Sequence, residues 1–109
     1  MEKRTKTFAV RIIKLAAKLP NDRAGDVVRY QLVKSGTSVG ANYREANRAI
    51  SRADFKHRIS TGEKEASETQ YWLEIIVEVG WLPAAQVQPD LAECSELLAI
   101  FTSIGKSTQ

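Results

Sequence analysis

Apolar residues recur along this chain at steps of three and four, the spacing that keeps side chains on one face of an α-helix. In the first segment Phe8, Ile12, Leu15, Ala16 and Leu19 share such a face, with lysines and arginines on the others. Val28, Leu32, Ser35, Val39, Asn42 and Ala46 continue the spacing after a break at Pro20, Asn21 and Asp22. The most regular stretch runs through Phe55, Ile59, Gly62, Ala66, Thr69, Leu73, Ile76 and Gly80, alternating four and three as a heptad seam does. Leu91, Cys94, Leu97, Leu98, Phe101 and Ile104 form a last amphipathic run.

These stripes and the breakers between them predict four helices, at about 6–19, 24–48, 51–80 and 90–105. Ser51 is a candidate N-cap for the third and Asp90, after Pro89, for the fourth. Nothing alternates with the period of a strand. Four helices joined by short connections fold most simply as an all-α, antiparallel up-and-down four-helix bundle, one domain spanning 1–109. Glycines inside helices cost about 1 kcal/mol each relative to alanine. Gly36, Gly40 and Gly62 therefore imply close helix packing. Asn42 on the apolar stripe would need polar partners, with Thr69 or Glu65 expected, and Glu45 and Glu68 are expected to pair with Arg29 or Arg44.

Composition adds little to the fold but changes the view of the surface. The net charge of +3 conceals a division: residues 1–58 carry 14 Lys or Arg against 5 Asp or Glu, and residues 59–109 carry 2 against 8. A basic half of this kind can follow a phosphate backbone, while the acidic half can neutralise it within the bundle. The candidate nucleic-acid-binding residues are Lys3, Arg4, Lys6, Arg11, Lys14 and Lys18, joined by Arg44, Arg48, Arg52, Lys56 and Arg58. Tyr71 and Trp72, adjacent and so about 100° apart on a helix, together with Trp81, are candidate anchors at a subunit interface.

Cys94 is the sole cysteine, which fits a reducing cytoplasm, and no apolar run approaches the roughly 20 residues needed to cross a bilayer. Cys94 itself lies on an apolar stripe and reads as packing. His57 is the sole histidine, and Asp54 with His57 supplies a single carboxylate-histidine pair where a di-iron bundle needs one on each of two helices, so neither a metal nor a cofactor is expected. No nucleophile with a base and no carboxylate pair assembles, and the chain reads as a non-enzyme. Two alternatives carry specific residues. The spacing of Arg52 and His57 resembles the ribonuclease motif of the HEPN superfamily, where the arginine would stabilise phosphate charge and the histidine would move a proton. A turn at Gly36 followed by Ser38, Asn42 and Arg44 would make a helix-turn-helix DNA reader, although the apolar spacing runs through Gly36 without a change of phase.

Ser38, Val39, Asn42, Tyr43, Glu45 and Ala46 resemble the S-[IV]-x-x-N-[IY]-x-E-[GA] signature of bundle proteins encoded within intervening sequences of bacterial 23S ribosomal RNA genes. Glu65, Ala66, Glu68, Thr69, Tyr71, Trp72 and Leu73 resemble the third-helix signature of the same family, and the likeness extends over nearly the whole chain. Ala46 stands where that family usually has glycine. The resemblance implies a four-helix bundle assembling as a homopentamer, with no catalytic residues. It includes the accessory protein of diversity-generating retroelements, which binds a reverse transcriptase and RNA, so an RNA and a protein partner such as a reverse transcriptase are expected. Ser38, Asn42, Glu45, Glu65, Glu68 and Thr69 match family positions that imply a polar contact between the second and third helices. The expected function is thus an oligomeric, RNA-associated adaptor working through a basic surface.

Overall fold

The computed structural model describes residues 1–108 and contains four helices, α1 (Glu2–Ala16), α2 (Arg23–Asn47), α3 (Arg52–Val79) and α4 (Ala84–Ser107). Each packs on its neighbour in sequence and α1 also meets α4, while among the described residues the diagonal pairs keep their backbones apart, with the Tyr43 ring of α2 reaching across the core to the Phe101 ring of α4. This is an antiparallel up-and-down bundle. At ~1.5 Å per residue the 28 residues of α3 span about 42 Å, which matches the 43 Å long dimension of the molecule.

Local chemistry sets three of the helix ends. Asp22 accepts a hydrogen bond from the Gly25 N–H at 2.7 Å to open α2, and Ser51 accepts from the Asp54 N–H at 3.0 Å to open α3. Gly80 closes α3 with φ of 84°, and the Trp81 N–H reaches back to the Ile76 carbonyl at 3.1 Å. That left-handed position suits glycine because no Cβ meets the carbonyl.

Two helices, α1 and α4, differ in extent from the sequence reading. α1 begins at Glu2, not near residue 6, because Thr5 extends its buried stripe: it is fully buried, and its hydroxyl is satisfied by the Met1 and Glu2 carbonyls at 2.9 and 3.1 Å. α4 begins at Ala84, not near 90, and continues past Gly105 to Ser107. Pro89 lies inside it, where its missing N–H removes one backbone bond close to the helix start. Burial of Leu82 and Val87 outweighs that loss by drawing the preceding turn into the core. Asp90 therefore does not cap the helix; it faces α1.

The core has two lobes. Phe8, Ile12, Leu15, Leu32, Leu73, Ile76, Val87 and Leu97 fill one, and Val39, Ala46, Ile59, Ala66 and Phe101 fill the other. Between them along α2 and α3 lie the buried Ser35 and Thr69, whose hydroxyls donate to the Leu32 and Glu65 carbonyls of their own helices. Gly62 admits the Phe101 ring of α4: a Cβ there would stand 2.2 Å from the ring. Gly36 likewise admits Ile12 of α1.

Candidate nucleic-acid interface

The basic residues of α1 divide by helical position. Phe8, Ile12, Leu15 and Ala16 face the core, so Lys3, Lys6 and Lys14 fall on the outward side, with Lys18 just beyond the helix end. All four lysines are exposed, and no described carboxylate lies within 4 Å of their ammonium groups. Val10 and Ile13 share this face and are about half exposed.

The arginines of α1 are engaged by the acidic half of the chain. Arg4 makes a two-pronged pair with Glu93 at 2.8 Å for each nitrogen and reaches Glu96 at 3.0 Å. The Arg4 hydrogen bonds hold the Glu93 carboxyl below its usual range, and Glu93 in turn makes Arg4 harder to deprotonate. Arg11 Nη2 stands 2.7 Å from Asp90 Oδ1. That oxygen is buried and accepts no well-aligned hydrogen bond, so this pairing is charge attraction without good hydrogen-bond geometry.

The rest of the basic set scatters. Arg44 lies 3.4 Å from Glu2, whose carboxyl is lowered first by the Asn47 amide and then by Arg48 and Arg44. Arg58 lies 3.7 Å from Asp54, Arg48 donates to the Arg44 carbonyl, and Arg52 donates to the Thr108 carbonyl at 3.1 Å. Lys56 is exposed beside a cleft between α3 and α4. The eleven candidate cations do not form one uniform surface: the lysines of α1 are open, and Arg4, Arg11, Arg44 and Arg58 are tied to carboxylates.

The expected polar contact between α2 and α3 is narrower than the motif suggested. Asn42 donates to the Ser38 carbonyl of its own helix at 2.9 Å, not to Thr69 or Glu65. Glu45 is exposed and forms no ion pair among the described residues, and Glu68 accepts a long bond from the Trp72 indole at 3.5 Å. The Ser38 hydroxyl donates to the Lys34 carbonyl of its own helix at 2.6 Å. Burial, then the neighbouring Glu68 charge, raise the Glu65 carboxyl above its usual range, partly offset by the Ser38 hydroxyl. Arg29, expected opposite Glu45 or Glu68, instead donates to the Ala16, Leu19 and Pro20 carbonyls at 3.3, 2.9 and 2.9 Å and closes the end of α1. Nothing in its local sequence marks that role, because the carbonyls belong to another helix.

Of the aromatic residues, Tyr71 is half exposed and meets Trp72 edge to face with centroids 5.1 Å apart. Trp72 and Trp81 are partly buried against the larger core lobe, so Trp81 caps the core beneath the α3–α4 turn. Val27 and Val79 are more than half exposed.

Arg52 and His57 sit five residues apart, about 140° around α3, and His57 is exposed. α2 is unbroken through Gly36, which leaves no turn for a helix-turn-helix. Burial pushes the Cys94 thiol up to about 12, and its sulfur donates to the Ala66 carbonyl. Among the described residues no His, Cys, Asp or Glu cluster could hold a metal. Among the described residues no helix is long and apolar enough to cross a membrane.

Comparison with known proteins agrees with the architecture. The family model for the 23S rRNA-intervening sequence protein matches residues 1–103. A crystal structure of a protein of unknown function from the S23 ribosomal protein family of Bacteroides thetaiotaomicron VPI-5482 is 38% identical. The likeness covers 96% of this chain and 97% of that one, with a TM-score of 0.89. No curated protein matches the chain.

Proposed function

We propose that this chain, which belongs to the 23S rRNA-intervening sequence protein family, is a non-enzymatic adaptor that associates with RNA through the lysine face of α1. The observation carrying this reading is the contrast within α1: its arginines are held by α4 carboxylates, while Lys3, Lys6, Lys14 and Lys18 point to solvent without a described carboxylate partner. Uncompensated cations along a rigid helix attract a polyanion and release its counterions on binding. Few aromatics lie among them, which favours a structured phosphate backbone over stacked single-stranded bases.

The adaptor is proposed to work in the cytoplasm as a homo-oligomer, in keeping with the pentamer implied by the sequence signatures. Self-association is best supported on the α2 and α3 surface, where Val27, Tyr71 and Val79 are each more than half exposed and Tyr71 meets Trp72 edge to face.

The test is a fluorescent RNA hairpin titrated with protein across a salt series. Replacing Lys3, Lys6, Lys14 and Lys18 together by glutamine should flatten the slope of log K against log salt by about 3 to 4, at roughly 0.7 to 0.9 for each lost phosphate contact. Absence of salt-dependent binding by the unaltered protein would refute the RNA reading. Light scattering tests the assembly, and a monomer at micromolar concentration would refute it.

A further inference from the structure

The lysine face of α1 borders a cleft against α4, with a volume of about 270 Å³. Arg11, Lys14 and Lys18 line one wall, at the steps of three and four that align side chains on one side of a helix. Gln86, Pro89 and Asp90 form the other, and the buried Leu15 also lines it. Asp90 is nine-tenths buried, and its carboxylate draws Arg11 to the cleft edge at 2.7 Å. That pair is balanced, which leaves Lys14 and Lys18 as the uncompensated charges of a concave site.

We infer that this α1–α4 cleft seats a phosphodiester group of a bound RNA strand between Lys14, Lys18 and Arg11, with Gln86 as an uncharged hydrogen-bonding partner. The inference rests on the RNA reading above and gives it an address. A phosphate presents several oxygens at once and suits convergent ammonium and guanidinium donors. Lys3 continues the charge along α1 beyond the cleft, about 16 Å from Lys14 by helical rise, so the row fits a polymer of phosphates better than a single small anion. Asp90 acts as a positioning residue through Arg11.

The experiment follows the Gln86 side-chain amide by NMR while the full-length protein is titrated with an RNA hairpin, with pyrophosphate, or with an acidic peptide. The same RNA is then used in a salt series with variants. The expected result is a Gln86 shift with RNA and a salt slope flattened by about 2 in Lys14→Gln/Lys18→Gln, but not in Lys34→Gln/Lys64→Gln, whose lysines are exposed on α2 and α3. Asp90→Asn raises the net charge by one, so attraction by charge alone predicts tighter RNA binding; loss of the hold on Arg11 predicts weaker binding. RNA binding with Gln86 unmoved, equal losses in both lysine pairs, or tighter binding by Asp90→Asn overturns the cleft and leaves the RNA reading standing. A Gln86 shift with pyrophosphate or the peptide but no RNA binding overturns both.

Discussion

Replacing Gly62 by alanine tests how tightly α4 is seated on α3. On an open helix face this substitution stabilises by about 1 kcal/mol through helix propensity alone. Here the new Cβ would stand 2.2 Å from Phe101 Cε2 and 2.8 Å from Cδ2, whereas ordinary contact begins near 3.4 Å. The ring would have to retreat by more than 1 Å. It has little room, being fully buried and set edge-on to Tyr43 at 6.0 Å between centroids. Overpacking of this kind costs about 1 to 3 kcal/mol, so after the propensity gain the net expectation runs from near neutral to a loss of roughly 2 kcal/mol. Urea denaturation followed by circular dichroism reads this directly. In a Phe101→Leu background the obstructing ring is gone, and Gly62→Ala should become neutral or stabilising; the difference between backgrounds is the coupling energy. Stabilisation of the otherwise unaltered protein by about 1 kcal/mol, as on an open helix, would refute the packing argument.

Two further outcomes follow from the buried and capping polar groups. Glu65 has its carboxyl raised by burial and by Glu68, so the folded state holds the proton more tightly than the unfolded state does. Its favourable contribution is complete below the ordinary value of 4.5 and is lost as pH rises through the raised folded value. Glu65→Gln should therefore raise the melting temperature at neutral pH, with the gain vanishing under acid; an unchanged difference across the range would contradict the assignment. Arg29→Met removes the charged donor from the Ala16, Leu19 and Pro20 carbonyls and should cost about 1.5 to 3 kcal/mol in thermal or urea unfolding. Wild-type stability in that variant would show that water caps α1 equally well.

What the sequence determined by itself was the set of helices and the faces they bury. Ile59, Gly62, Ala66, Thr69, Leu73 and Ile76 are all buried along α3, because the helical period is a local property written in the spacing of small and apolar residues. Ser51 as a cap was legible for the same reason: donor and acceptor lie three residues apart. The tertiary structure decided the rest, because the interactions involved join residues remote in sequence. Thr5 looks like a surface residue until α1 lies on α2 at Gly40, Asp90 looks like one until α4 meets Arg11 of α1, and Pro89 looks like a boundary until Leu82 and Val87 are buried ahead of it. The basic half reads as one surface, yet Arg4 is separated by 89 positions from the Glu93 that engages it. Which cations remain open to a partner depends on where the folded chain brings its carboxylates. The bundle ties down the arginines of α1 and leaves its lysines facing outward.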